Sequence, residues 1–311
     1  MPEKSAGEPG RAGEGEGGDA MMNNKVGAYF TYWAEKYNTD YDICVRKAAA
    51  LGFDAIGVRG TGIVEFSDGK KDATRRLAED LGLKMNFVAA LADHDIASED
   101  ADSRRRGVEY VKRILDAVAY MKGDLLAGSF YSRWHGALPA GVTDKTPWLE
   151  RSARGMREIC RAAADHGIRV SLEILNRYET CLLNTAAEGV DYVGRVGADN
   201  LGLLLDTFHM NIEEDTLPGA IGTAGRLLSH FHLGEANRDV PGPGGHIDWD
   251  AVFKALGRVG YGGIVEFEPF VVMGTEIGGN VRLWRDLSGG MDLDEKIRRS
   301  LAFVRERMAA A

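Results

Sequence analysis

The sequence predicts a single (β/α)8 TIM barrel of the α/β class, behind a disordered N-terminal leader. Three observations carry that expectation. Eight short apolar runs, rich in β-branched residues, alternate with amphipathic stretches. Such alternation implies a parallel sheet, and eight is the number of strands that closes a barrel. The doubly wound alternative lacks its signatures: no GxGxxG follows the first run and no P-loop occurs anywhere.

The elements follow in order. "MPEKSAGEPGRAGEGEGGDA" is rich in Gly and Glu and has no large apolar residue after the initiating Met. It cannot bury enough surface to offset its ordering entropy, so residues 1–23 are assigned to a disordered leader and 24–311 to the barrel. "KVGAYF" opens the barrel, followed by the helical pattern "DYDICVRKAAALG". "DAIGVR" and "KDATRRLAEDLG" form the second unit, "KMNFVAA" and "SEDADSRRRGVEYVKRILDAVAYMKG" the third. The remaining strands are "DLLAGSF", "IRVSLEI", "LGLLLD", "LSHFHLG" and "GGIVEFE", and the last helix is "LDEKIRRSLAFVRERMAA". Leu-Gly or His-Gly closes several helices, a stop signal that hands the chain to a strand.

Composition narrows the function. The 311 residues are 44% hydrophobic and 27% charged, an ordinary globular balance, and α/β barrels of this size are routinely one domain. A net charge of -9 gives no electrostatic case for nucleic acid. No apolar run approaches the ~18 residues of a membrane span, and no signal peptide opens the chain, so a cytoplasmic protein without a membrane partner is expected. Cys44, Cys160 and Cys181 are an odd, widely spaced set without a CxxC, as suits reduced thiols packed as small hydrophobes.

A barrel places its chemistry at the C-terminal ends of its strands. The fifth to eighth runs end in Glu173, Asp206, His232 and Glu268. Side-chain alternation makes each the last inward position before its loop. Three carboxylates cannot share a dry pocket without a neutralising cation. Oxygen ligands with one nitrogen and no thiolate suit Mn²⁺ or Mg²⁺, with Co²⁺ a further candidate, better than a closed structural zinc site. One such residue alone reads equally well as a barrel-mouth carboxylate paired with an arginine. Four successive strand ends do not.

The segments "EILNRYE", "LNTAAEGVDYV", "LLDTFHMNIEED", "HFHLGEANRDVPGPG", "EFEPF" and "WRDLSGG" resemble the ketose 3-epimerases, the family of D-tagatose and D-psicose (D-allulose) 3-epimerases. The likeness runs from "GAYFTYW" almost to the C-terminus, leaving out the leader and the final helix. It implies one divalent metal per subunit, Mn²⁺ first with Co²⁺ or Mg²⁺ as alternatives, on Glu173, Asp206, His232 and Glu268. It implies epimerisation at C3 of free ketohexoses, the D-fructose/D-psicose and D-tagatose/D-sorbose pairs. That chemistry removes the proton α to the C2 carbonyl and returns one to the opposite face, through a cis-enediolate stabilised by the metal. Glu173 and Glu268 are then the two bases, one on each face. The resemblance further assigns Glu179 to the O1–O2 region of the sugar, His209 beside it and Arg238 to O2. Tyr29, Trp134 and Phe270 match apolar walls at the sugar's far end. Homodimers or homotetramers are implied as well.

Other residues carry weaker signals. Asn176 and Arg177 lie in the turn between two glutamates and are expected to orient them. His94, His135, His166 and His246 read as loop or helix-end residues. Where the family usually has an apolar side chain, this sequence has Glu266. By alternation Glu266 and His230 point inward one layer below Glu268 and His232. A Glu266–His230 hydrogen bond would then compensate the buried charge; a strand irregularity would instead turn Glu266 outward to a basic partner.

Competing functions remain at this stage. A ketose-phosphate 3-epimerase or aldose–ketose isomerase would use the same barrel, with "PGPGGH" offering amides to phosphate. An endonuclease IV-type nuclease needs further His and Asp ligands that "DAIGVRG" and "LLAGSF" do not supply. A non-catalytic sugar-binding protein would not need both flanking glutamates.

Overall fold

The computed structural model describes residues 22–311. The expected leader lies outside them except for its last two residues, and Met22 is already buried in the core. Eight strands form: β1 Val26–Tyr29, β2 Ala55–Arg59, β3 Lys84–Leu91, β4 Leu125–Arg133, β5 Arg169–Glu173, β6 Leu201–Asp206, β7 Leu228–Leu233 and β8 Val265–Phe267. They pair in sequence order, all parallel, and β8 returns to β1, so the barrel predicted from the sequence is the barrel observed.

Helices fill the crossovers: α1 Tyr41–Leu51, α2 Gly60–Val64, α3 Asp68–Asp80, α4 Ala101–Tyr120 and α5 Thr146–Asp165 precede β5. After it come α6 Ala186–Val196, α7 Thr207–Glu213, α8 Leu217–Ala224, α9 Trp249–Arg258, α10 Glu276–Asn280 and α11 Leu293–Ala309. Asp40, Ser67, Asp100, Thr185 and Asp292 cap the N-termini of α1, α3, α4, α6 and α11 by accepting from first-turn N–H groups. α1 and α6 end at Gly52 and Gly197, whose φ angles of 86° and 70° only glycine adopts without strain.

Strand register assembles the functional end. Asp206 of β6 is level with His232 of β7, and His232 is level with Glu266 of β8. A shift between Leu203 and Leu204 skips Ser229, whose hydroxyl donates to Ser171 Oγ at 2.8 Å. Were Ser229 paired in line, without the shift, Phe231 and not His232 would stand beside Asp206. The interior is not wholly apolar: Asn86, Ser171, His230 and Glu266 are at most 1% exposed. Cys44, Cys160 and Cys181 are free thiols, the first two buried. Among the described residues no helix is long and apolar enough to cross a membrane.

Candidate active site

Glu173, Asp206, His232 and Glu268 meet at the C-terminal mouth. Each offers one ligand atom, and the four atoms lie within 4.8 Å of one another. Glu173 and Asp206 end β5 and β6, His232 is next to last in β7, and Glu268 follows β8 directly. Asp206 also caps α7: Oδ1 accepts from the Phe208 N–H at 2.9 Å, which leaves Oδ2 for the cavity. His232 turns Nδ1 toward Glu268 Oε2 at 3.4 Å and Glu173 Oε1 at 3.8 Å. That buried nitrogen has no hydrogen-bond partner.

Positive charge is scarce here. Arg238 Nη1 donates to Asp206 Oδ2 at 2.8 Å and Glu268 Oε2 at 3.2 Å. Its guanidinium is held between the rings of Phe208 and Phe270, 3.7 and 4.9 Å from their centroids. Arg238, with Arg59 farther along the cavity wall, does not balance Glu173, Glu179, Asp206 and Glu268. Burial, then repulsion from Glu268, pushes the Glu173 carboxyl well above its ordinary range. Burial acts on Glu268 in the same direction, but His232 and Arg238 outweigh it and hold that carboxyl below its usual value. Burial disfavours a charged His232, yet Glu268, Glu266 and Glu173 together raise its pKa well above normal. An oxygen-rich set with excess negative charge and an imidazole whose Nδ1, unpartnered, faces two of the carboxylates fits a hard divalent cation.

The carried-over substrate residues surround the same space. Trp134 Nε1 donates to Glu179 Oε2 at 3.0 Å and Asn176 Nδ2 to Glu179 Oε1 at 3.2 Å. The Asn176 backbone N–H donates to His209 Nδ1 at 3.2 Å, and on the other side of the ring Nε2 lies 3.3 Å from Arg238 Nη2 and 3.7 Å from Glu173 Oε1. Burial, then Arg238, pulls the His209 pKa down to about 4 and keeps it neutral. Tyr29, Trp134, Phe270, Glu179, His209 and Arg238 line a cavity of about 150 Å³ together with Glu173 and Glu268. Asp206 and His232 lie beneath it, with no exposure at all.

Residues 45–307 match the xylose isomerase-like TIM barrel family. A D-psicose 3-epimerase of Agrobacterium fabrum is 41% identical over 285 residues, 90% of this chain and 98% of that protein. Another, of Ruminiclostridium cellulolyticum, is 38% identical over 285 residues, 90% and 97% of the two chains. The crystal structure of a D-psicose 3-epimerase in the presence of D-fructose superposes with a TM-score of 0.88 at 40% identity, covering 92% of this chain and 99% of that one. The chain belongs to the ketose 3-epimerases of this barrel family. It is an isomerase.

Within this family member, the turn after β5 divides its two polar residues. Asn176 faces inward and holds Glu179 and His209. Arg177 does not orient the glutamates, contrary to the expectation from sequence; it pairs with Glu213 of α7, Nη2 to Oε2 at 2.8 Å, on the solvent side. Sequence reasoning also passed over Tyr37, Arg59 and Asn280, which line the cavity. Arg59 ends β2, so the strand-end rule applied to it equally; Asn280 arrives on the short α10, which has no periodic signal.

Below the mouth, Glu266 points inward. His230 Nε2 lies 3.0 Å from Glu266 Oε2, and Asn86 Nδ2 lies 3.5 Å from Oε1. Of the two arrangements considered from sequence, the inward hydrogen-bonded one is observed. Glu266 lies two residues before Glu268 on its own strand, as expected, and register sets it level with His232 on the neighbouring strand. Burial opposes its ionisation, but the hydrogen bond from His230 and the nearby His232 imidazole prevail and hold its pKa at about 2.

Proposed function

We propose that this chain catalyses metal-dependent epimerisation at C3 of free ketohexoses, interconverting D-fructose with D-psicose and D-tagatose with D-sorbose. One observation supports it most: two buried glutamates, Glu173 and Glu268, face one small cavity from β5 and the end of β8, in a chain 41% identical to a D-psicose 3-epimerase. Glu173, Asp206, His232 and Glu268 would hold the ion, with Mn²⁺ first and Co²⁺ or Mg²⁺ as alternatives. When bound, a divalent ion supplies Lewis acidity at the C2 carbonyl and so acidifies C3–H.

The side chains supply the rest. One glutamate removes the C3 proton and the other returns a proton to the opposite face of the cis-enediolate, with roles exchanged in the reverse direction. Glu179, fixed by Trp134 and Asn176, accepts from the sugar hydroxyls near C1 and C2. Neutral His209 faces the same region, and Arg238 binds O2 from between its two aromatic rings. Tyr29, Trp134 and Phe270 exclude water from the far end of the sugar.

The phosphorylated-sugar alternative loses its best support in the loop after β7. Two of that loop's amides, those of Gly242 and His246, donate to Glu235, which also accepts from Trp249 Nε1 at 2.8 Å, and the carboxylate there disfavours a phosphate. A product screen decides. Free D-fructose and D-tagatose should yield D-psicose and D-sorbose, exhaustive chelation should abolish both, and Mn²⁺ or Co²⁺ should restore them. Turnover of phosphate esters alone would replace this substrate class. Full activity in verified metal-free protein would overturn the metal dependence.

A further inference from the structure

We propose that Glu266 is a positioning residue that fixes His232 in the orientation and tautomer a metal ligand needs; this rests on the metal-dependent reading above.

His232 stands between two carboxylate groups. Its Nδ1 faces Glu268 and Glu173 at 3.4 and 3.8 Å, while its Nε2 faces Glu266 Oε2 at 3.5 Å from the opposite side of the ring. A neutral imidazole has one lone pair and one N–H. If Nδ1 gives its lone pair to an ion, the proton resides on Nε2, inside a barrel where His232 has no exposure. A buried N–H left without an acceptor loses its hydrogen bond to water and gains none in return. Glu266 Oε2 is the carboxylate oxygen that faces it, and a small tilt of the ring completes the hydrogen bond.

The surroundings hold Glu266 in place for that role. His230 Nε2 lies 3.0 Å from the same Oε2, and Asn86 Nδ2 approaches Oε1 at 3.5 Å. Two glycines make the room: a Cβ at Gly27 would come within 3.2 Å of Glu266 Oε1, and one at Gly57 would fall on that oxygen. Strand register sets His232 and Glu266 level on adjacent strands. Tyr29 stacks beside the imidazole, ring centroids 6.4 Å apart and planes 29° from parallel, which restricts ring rotation. An apolar residue at 266 would leave Nε2–H unpaired, or favour the tautomer whose Nδ1–H points at the carboxylates and blocks coordination. Carboxylate partners of metal-bound histidines act in this way, and losing one weakens binding about 10–100-fold.

The test uses full-length protein with Glu266→Leu and Glu266→Gln. Mn²⁺ affinity is measured by electron paramagnetic resonance of the free ion, and melting in EDTA checks folding of each variant. The Leu variant should bind Mn²⁺ about 10–100-fold more weakly. Gln, which keeps an acceptor oxygen, should fall between Leu and the parent. In the Mg²⁺-loaded parent, ¹⁵N spectra of labelled histidine should show His232 protonated on Nε2. Unchanged Mn²⁺ affinity in a folded Leu variant overturns the positioning role and leaves metal dependence intact. Absence of Mn²⁺ binding by the parent overturns both. Should the Leu variant not melt cooperatively, the Gln affinity and the parent's tautomer decide: unchanged affinity, or an Nδ1 proton on His232, sinks the proposal.

Discussion

The barrel holds two groups of buried acids and imidazoles, one above the other and joined through His232, and Glu173 in one and Glu266 in the other are pushed in opposite directions. In the upper group, four carboxylates share Arg238 and His232, and Glu173 is driven toward its neutral form. In the lower group, Glu266 is matched by His230, His232 and Asn86, and its pKa falls to about 2 despite complete burial. Residue type alone does not distinguish them; compensation does. A carboxylate whose hydrogen bonds are met from within serves the architecture. A deficit of positive charge retained beside a cavity marks the place where chemistry is done.

The sharpest test of that contrast lies in the upper group. Glu173→Gln and Glu268→Gln should each lower turnover by at least ~10²-fold, the usual contribution of a positioned acid or base. Gln keeps an oxygen, so ion binding should suffer less than turnover. Solvent deuterium should expose direction: one variant loses C3–H exchange from the D-fructose epimer, the other from D-psicose. Loss of exchange from both epimers in one variant and from neither in the other would establish a single base.

The lower group should respond in stability. Gly57→Ala places a methyl on Glu266 Oε1 and within 2.8 Å of Tyr29 Cδ2. Neither neighbour yields freely, since Glu266 is pinned through both oxygens. Overpacking of this kind costs about 1–3 kcal/mol, read as a lower melting temperature with or without Mn²⁺. In a Glu266→Val background the same change should cost less, because the clashing oxygen is gone; equal cost in both backgrounds would show that Glu266 is not what fills the space.

The smallest effect belongs to the turn that serves neither group. Arg177→Ala removes a pair whose arginine side chain is 64% exposed. The side chain of its partner Glu213 is only 5% exposed but keeps the Arg177 backbone N–H as a donor, so the cost should be about 1 kcal/mol in urea unfolding, and kcat/KM should hold. A large fall in kcat/KM would put Arg177 back among the residues that orient Glu179.

The sequence made the framework legible because strands and helices differ in period and glycines punctuate them. The four mouth residues were legible for a related reason: alternation fixes which way the end of a strand points. The same rule failed on Arg59 only because acids and imidazoles were sought there. It placed Glu266 below Glu268 in its own strand but could not give its level against His232, nor the skipped Ser229, since shear and register are properties of the paired sheet. Arg177 and Asn280 were beyond its reach, one in a turn without periodicity and one on a helix of five residues. Arg238 combines both difficulties. Its backbone is left-handed at φ 69°, rare for a side chain with a Cβ, and its guanidinium finds Asp206 and Glu268 only once β6 and β8 are adjacent to β7.

Barrel closure also has a consequence in time. Val26 pairs with Val265, so the first strand waits for the last. At ribosomal speeds of ~5–20 residues per second, that wait is roughly 10–50 s. Until it ends, β1 and β7 are sheet edges, each a row of unpaired amides and carbonyls ready to join another chain. Glu268 follows β8 directly and is the last of the four mouth residues to be made. A nascent chain that stops short of β8 is therefore inert and adhesive at once, and the same short strand ends both conditions.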